Sequence, residues 1–391
     1  MSQDTLLTGS HKTLSAPVEI LPQDSKDLQY EEKGIALCLS GGGYRAMLFH
    51  LGTLMRLNEM KLLPKIDRVS SVSGGSITAG VLGLNWSRLG FDSNGFSPQL
   101  QTKLVDPIRK LADKTVDTLS IISGIVTPGS VADKVTEAYR KHLFAKATLQ
   151  ELPDRPRFII NATNVQSKSL WRFSKPYMWD WRVGKVPQPK VEIAVAVAAS
   201  SAFPPVLSPL ELNLEPSSFE PNTGSELQME PYTSEVVLTD GGVYDNLGIE
   251  TAWKRYSTIW VSDAGGMYAA EEDPKRDWIS HTKRVMDLID NQVRSLRKRQ
   301  LIGSYAAGVR EGAYWGIWTD ISDYNLADAL PCPLAKTQKI ASTSTRLKKL
   351  DEDKQEKIIN WGYAVCDAAM RSYGKITGAP PPKFPYPIGV G

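Results

Sequence analysis

Histidine and cysteine are scarce in this chain, four of the one and three of the other among 391 residues. Cys38, Cys332 and Cys366 form no CxxC pair, and an odd, widely spaced set does not make a disulfide framework. They are expected as reduced thiols in core positions, in a reducing compartment. No spacing of His, Asp or Glu has the pattern of a metal site, so neither metal nor cofactor is expected. Long apolar runs are also missing. No stretch reaches the roughly 20 apolar residues of a membrane-spanning helix, and residues 1–27 hold no apolar signal-peptide core. Charge of one sign is not in excess: a net charge of +3 is too small to point to a nucleic-acid polymer, although a local basic patch could meet an anionic surface. The expectation is a cytoplasmic protein with at most peripheral contact to the inner membrane. Its 41% hydrophobic and 23% charged residues are ordinary for a soluble globular chain.

The order of segments gives an α/β class. Residues 34–39 are a continuous apolar run, suited to a strand buried on both faces. Glycines break it, and 44–60 then place Met47, Leu48, Leu51, Leu54, Met55 and Leu57 at helical spacing. Residues 67–72 read as the next strand and 73–84, rich in small residues, as a buried helix. Strand, helix, strand, helix implies a parallel sheet with helices on both faces. Further strands are expected at 157–163, 169–173, 235–239 and 257–262, a loop excursion at 211–232, and long helices at 282–306 and 351–372. One domain over 34–379 is expected between an N-terminal arm, 1–33, and a Pro-rich tail, 380–391. Within it, about 88–150 read as a helical insertion able to cover a site, and 267–372 as a C-terminal helical extension.

Two glycine-rich turns carry the chemistry. Ser40-Gly41-Gly42-Gly43-Tyr44-Arg45 follows the first strand, and its backbone N–H groups can surround an anion. Ser71-Val72-Ser73-Gly74-Gly75 follows the second and has the form of a nucleophile elbow, with Ser71 in place of the usual first glycine. Ser73 would project from a tight strand-to-helix turn at a positive helix N-terminus. Its base is open. Asp240 ends an apolar strand before Gly241-Gly242 and would lie at the same edge of a parallel sheet. Asp263 ends the next strand, and Asp245 is a third choice that also suits a turn. Of the histidines, only His281 follows a candidate acid in the order Ser73, Asp240, His281 used by α/β-hydrolases, and it also suits a solvated helix start.

Ser40-Gly41-Gly42-Gly43-Tyr44-Arg45, Val72-Ser73-Gly74-Gly75-Ser76 and Asp240-Gly241-Gly242, in that order, resemble patatin-like phospholipases. Ala199-Ser200-Ser201-Ala202-Phe203-Pro204-Pro205 is similar to a further block of that family. Asp290-Asn291-Gln292-Val293-Arg294 and Ile358-Ile359-Asn360-Trp361-Gly362-Tyr363 resemble its longer bacterial members. The resemblance implies a three-layer αβα fold with a mostly parallel central sheet and helical insertions. It implies hydrolysis of fatty-acyl esters of membrane phospholipids by a Ser–Asp dyad without histidine: Ser73 as nucleophile, Asp240 as base. Gly41, Gly42 and Gly43 would form the oxyanion hole. Arg45 matches the motif's basic residue, with a loop-orienting, phosphate-binding or ion-pair role. Some bacterial members act in antiphage defence when a cyclic nucleotide binds. Such an activator, and assembly into a homo-oligomer, are therefore expectations, with the basic run Arg294, Arg297, Lys298 and Arg299 as material for a second site or a solvated helix face. The aromatic cluster Trp171, Phe173, Tyr177, Trp179 and Trp181 fits sheet packing or a membrane-interface belt.

Two other readings remain. One is an esterase with a Ser73–Asp240–His281 triad. The other is a dinucleotide-binding module, since Gly41-x-Gly43-x-x-Ala46 fits a loose phosphate-binding fingerprint. Against the second, the position for its ribose-binding acid is occupied by the Ser73 turn.

Overall fold

Alternate residues of the first strand are claimed by different layers. The structure, a computed structural model, describes residues 32–116, 131–267, 270–376, 380–381 and 383–391. In β1 (Glu32–Leu39), Ala36 and Cys38 pack into one apolar cluster while Leu37 and Leu39 pack into another. In β9 (Tyr256–Asp263), Ile259 and Val261 join the first cluster and Trp260 the second. A strand apolar on both sides has to be covered on both sides. Helices do this, giving the three-layer αβα arrangement.

The remaining strands are β2 (Arg68–Val72), β3 (Arg157–Asn164), β4 (Ser169–Phe173), β5 (Tyr177–Asp180), β6 (Gly184–Pro187), β7 (Leu210–Asn213), β8 (Glu235–Asp240) and β10 (Glu311–Gly316). All belong to one ten-stranded sheet in the order β10-β9-β1-β2-β3-β4-β5-β6, with β8 on β3 and β7 on β8. From β10 to β3 every pairing is parallel; beyond β3 every pairing is antiparallel. The helices are α1 (Gly43–Glu59), α2 (Gly74–Asn85), α3 (Asp106–Ala112), α4 (Val131–Tyr139), α5 (Ile193–Ser200), α6 (Gly242–Asp245), α7 (Glu250–Trp253), α8 (Trp278–Ala306), α9 (Leu334–Ala341) and α10 (Glu352–Tyr373).

β3 organises the functional edge. Along one side it pairs with β4. Along the other it pairs first with β2, parallel, and then with β8, antiparallel. Val72, the last residue of β2, stands opposite Asn161, and Asp240, the last of β8, stands opposite the next residue, Ala162. Two strands thus approach head to head along one edge. The convergence of Ser73 and Asp240 arises this way, and not from two parallel neighbours as the sequence suggests.

α10 is part of the core. It crosses α1 at glycines: a side chain on Gly52 would strike the Ile359 carbonyl, and one on Gly362 the Phe49 carbonyl. Helices this close bury Trp361, whose indole N–H donates to the Ile317 carbonyl at 2.8 Å. The Arg56 guanidinium meets Asp367 at 2.8 Å in the same interface.

Several elements depart from expectation. β5, β6, β10 and α9 carry no clean periodicity, and the excursion after residue 209 opens with β7. Of the expected arm, residues 1–31 lie outside the described residues, while Glu32 and Lys33 already belong to β1. The described residues of the 88–150 insertion line no part of the cleft described below; 117–130 lie outside the described residues. Trp171 and Phe173 are buried in β4, and the Arg172 guanidinium lies 4.5 Å from the centre of the Trp179 ring.

A methyl group at the helix crossing should be costly. Gly362→Ala is expected to lower unfolding stability by about 2 kcal/mol, since over-packing a dense contact costs roughly 1–3 kcal/mol. A urea midpoint equal to that of the wild type would contradict the crossing.

Candidate active site

β1 and β2 are parallel neighbours with Leu39 opposite Ser71, so the turns that follow them leave the sheet side by side. Both turns need glycine because neighbouring backbone crowds them. A Cβ on Gly74 would collide with the Gly43 carbonyl, and one on Gly75 with the carbonyls of Leu39 and Ser40. Gly43 has φ +56°, and a side chain there would run into the Thr345 carbonyl. Between the two turns Ser73 adopts φ 50° and ψ −121°, a conformation that costs a non-glycine residue about 1–3 kcal/mol. That strain is the elbow: it sends the Ser73 side chain away from β2 and into a cleft.

Asp240 meets it there. Its carboxylate accepts the Gly242 N–H at 2.6 Å and shares the cleft with the Ser73 side chain, which acts on it as a hydrogen-bonding partner that lowers its proton affinity. Burial, helped by the charge of Asp290 on α8, pushes Asp240 up to about 7 against the opposing pull of Gly242 and Ser73.

The C-terminal end of α5 ties the two residues together. The Ser200 hydroxyl accepts the Ser73 N–H at 2.9 Å, and the Ser200 carbonyl accepts the Gly241 N–H at 3.2 Å. The Ala202 carbonyl accepts the Asp240 N–H at 2.9 Å. The Ala199–Pro205 block, conspicuous in the sequence without an evident role, is therefore the strap across both turns. Ser200 had no signal of its own beyond that block. Asn246 was likewise missed; its carbonyl accepts the Gly41 N–H at 3.1 Å.

That bond spends one expected oxyanion donor. The Gly41 amide is committed to Asn246, whereas the amides of Gly42 and Gly43 have no acceptor among the described residues, and both residues line the cleft. Arg45, expected with the oxyanion group, is not in it. Its buried guanidinium donates to the carbonyls of Ala341 (2.6 Å), Thr343 (2.9 Å) and Ala264 (2.8 Å). A cation surrounded by three carbonyls anchors the loop and has no reach into the cleft.

The other candidates sort by their partners. Asp263 would be pushed up by burial, but Arg294, Lys298, the Tyr314 hydroxyl at 2.7 Å and the Gly265 N–H hold it at about 2. A carboxylate so firmly ionised is a poor proton acceptor, and it serves to anchor α8. Asp245 accepts the Leu247 and Glu250 N–H groups and pairs with Arg297, the turn role. His281 is exposed in the first turn of α8 and lines no part of the cleft. His50 is a brace. It lies between the Ser40 carbonyl (2.9 Å) and the Ser262 hydroxyl (2.8 Å), and burial lowers it to about 4, so it stays neutral. A carbonyl only accepts, so Nε2 carries its proton. Three of the four residues of the basic run are ion-paired, Arg294 and Lys298 with Asp263 and Arg297 with Asp245 and Glu250, while Arg299 is exposed. The glycine loop is packed on the elbow, and β2 runs straight into Ser73, so the acid of a dinucleotide site has no place there.

The cleft has a volume of about 340 Å³. Ser73, Asp240, Gly42 and Gly43 form its floor, and Phe203, Pro204, Val206, Leu207 and Leu347 give it an apolar wall. Among the described residues no group of His, Cys, Asp or Glu is arranged to hold a metal ion. This is a hydroxyl on a desolvated carboxylate, beside two free amides and an acyl-sized slot.

A sequence profile described as patatin-like phospholipase matches residues 37–253. The chain belongs to the patatin-like phospholipase family. The match spans both turns, the α5 strap and the Asp-Gly-Gly motif, and family membership makes the protein an ester hydrolase acting on lipids. No curated protein matches the sequence. Solved structures do resemble the fold at a distance. Human GIVD cytosolic phospholipase A2 is 12% identical with a TM-score of 0.47, covering 95% of this chain and 67% of that one. VipD from Legionella pneumophila is 16% identical with a TM-score of 0.37, covering 88% and 67%. The human enzyme in complex with methyl gamma-linolenyl fluorophosphonate is 14% identical with a TM-score of 0.48, covering 89% and 60%.

The two strand-end acids should answer opposite questions about stability. Asp263 is depressed in the fold, so its contribution is complete above the unfolded value near 4 and is lost as pH falls towards 2. Asp263→Asn is expected to cost about 2 kcal/mol at pH 7. Asp240 is raised, so ionising it burdens the fold increasingly between about 4 and 7. Asp240→Asn is expected to be neutral near pH 4 and stabilising at pH 8. Chemical denaturation of the two variants at both pH values tests the contrast; equal losses would contradict it.

Proposed function

We propose that Ser73 and Asp240 act as a catalytic dyad that hydrolyses fatty-acyl esters of phospholipids without histidine. The observation that carries this reading is that Ser73 and Asp240 line one cleft, the serine beside a buried carboxylate whose affinity for protons has been raised.

The steps follow from the geometry. Ser73 Oγ attacks the acyl carbonyl as its proton passes to Asp240. The carbonyl oxygen becomes an oxyanion, and the amides of Gly42 and Gly43 receive it at the positive end of the elbow. One such donor is worth about 3–4 kcal/mol of barrier. The tetrahedral intermediate collapses, the proton on Asp240 goes to the departing alkoxide, and the lysolipid leaves. A water molecule then gives its proton to Asp240 and attacks the acyl-Ser73 ester; as that intermediate collapses Asp240 returns the proton to Ser73 Oγ, which releases the fatty acid and restores the hydroxyl. An acid near pKa 7 suits both halves, because it accepts and returns a proton at neutral pH. Arg45, His50 and Ser200 position the turns. The apolar wall from Phe203 to Leu207 would hold the acyl chain.

The helix content is consistent with work at a membrane surface from outside the bilayer: among the described residues no helix is long and apolar enough to cross a membrane. Activation by a cyclic nucleotide remains part of the proposal on the resemblance to longer bacterial members. The basic run is not offered as its site, since Arg294, Arg297 and Lys298 are engaged with carboxylates of their own protein.

Ser73→Ala and Asp240→Asn are each expected to reduce kcat on a short-chain ester about a thousandfold or more, with the fold retained by circular dichroism. His281→Ala should stay within about twofold of wild type; its loss of activity at unchanged stability would favour the triad. The carboxylate form of Asp240 is the active one, so kcat/KM should rise with pH, with a midpoint at about 7, and level off above it. A profile flat between pH 5 and 8 would overturn the dyad. Adding a panel of cyclic dinucleotides to the same assay should raise the rate; no change with any of them removes the switch.

A further inference from the structure

α8 is amphipathic in the opposite sense to an ordinary surface helix, which turns its apolar stripe inward. The positions it presents to its own protein are polar. Arg284 meets Glu271 at 3.1 Å, Arg297 meets Glu250 at 2.9 Å, and Arg294 reaches Asp263. Only Arg294 and Leu301 of this helix are buried. Apart from Leu301 and Tyr305 near its C-terminal end, most of its apolar side chains face solvent. Trp278, Val285, Ile289 and Leu296 follow one another at steps of seven, four and seven, which is one line along a helix, and Ile279 and Met286 widen it. Trp278 is 77% exposed, Ile279 63% and Ile289 53%.

The stripe adjoins the cleft. Lys283 and Asp290, on the same two turns of α8, line the cleft. Phe203, on the cleft's apolar wall, and Met267, beside cleft-lining Gly266, are exposed as well. Arg346 lines the cleft too, and Lys348 lies two residues further on, both exposed. The opening is therefore bordered by an apolar lip and a basic lip. A helix with an apolar stripe and a tryptophan at its end is suited to lie in the plane of a lipid interface, where basic groups meet anionic headgroups.

We propose that the outer stripe of α8 docks the protein on an anionic phospholipid bilayer. Trp278, Ile279, Met286 and Ile289 enter the boundary between headgroups and acyl chains, and Arg346 and Lys348 rest on the headgroups. The choice of a bilayer over a second copy of the chain rests on the lipid-hydrolase reading of the cleft. A protein seated across both lips would obstruct the opening, whereas a bilayer there supplies what the cleft takes in.

The test uses the full chain and a triple variant, Ile279→Ser with Met286→Ser and Ile289→Ser, at exposed positions outside the cleft lining. Co-sedimentation is measured with vesicles of phosphatidylethanolamine and phosphatidylglycerol, and with vesicles of phosphatidylcholine alone. Wild type should bind the anionic vesicles more tightly than the neutral ones. The triple variant should bind the anionic ones at least tenfold more weakly, a change of about 1.4 kcal/mol, while its melting temperature and its hydrolysis of a monomeric short-chain ester stay at the wild-type level. Trp278→Phe should remove a vesicle-induced blue shift from the emission spectrum. Equal vesicle binding by wild type and the triple variant overturns the proposal. So does ultracentrifugation showing a wild-type dimer that the triple variant abolishes. Stripe-dependent vesicle binding by a protein that fails to cleave the monomeric ester would support the docking face and count against the dyad alone.

Discussion

Everything at the site depends on β3 lending a single edge to two strands. β2 occupies that edge up to Asn161 and β8 takes it from Ala162 onward, running the other way. Their C-terminal residues therefore face each other across a gap of one register position. Backbone hydrogen bonds fix this separation, so the hydroxyl after one strand and the carboxylate at the end of the other are held by the most rigid part of the molecule. A long helix or a loop bringing the same two groups together would leave their distance to side-chain packing. Here the sheet sets it, and Ser200 and Ala202 lock the backbone on both sides of the junction.

The electrostatics follow from that placement. Two carboxylates end consecutive strands of the same sheet, and their surroundings drive their proton affinities apart. Asp263 is buried among Arg294, Lys298 and Tyr314 and stays charged; Asp240 is buried with no ion pair to a cation among the described residues and holds its proton to about 7. The difference is the presence or absence of compensating charge, since both are equally removed from water. One acid carries α8 and the other is free to exchange protons. His50, which looks in isolation like a possible base, is neutralised by the same desolvation and only stiffens the glycine turn.

Much of this is legible in the chain. The apolar runs at 34–39 and 235–239, and the glycines after them, mark strand ends, because a strand buried on both faces has little freedom in composition. The Ser73 turn announces itself by the small residues around it. What the sequence hides is of two kinds. One is contact between backbones: Gly52 and Gly362 look like weak points in two helices until the helices are seen to cross there. The other is the destination of a long side chain. Arg45 sits in the motif and turns away from the cleft; Arg294 and Arg297 look like a solvated face and point at buried acids. Local spacing says which residues share a side of a helix, but what lies opposite is a matter of tertiary arrangement. β8 shows the same limit, since its antiparallel pairing with β3 cannot be read from its own six residues.

The crowding of Gly43 and Gly74 has a consequence for how such a protein can change over generations. A side chain at Gly74 would strike the Gly43 carbonyl and one at Gly43 the Thr345 carbonyl, so a single step at either point carries a high cost. Ancestors and descendants alike are confined to a narrow corridor at these two points, and diversification is displaced to the rims, where α8 and the Arg346–Lys348 lip can be rewritten without disturbing the turns beneath them.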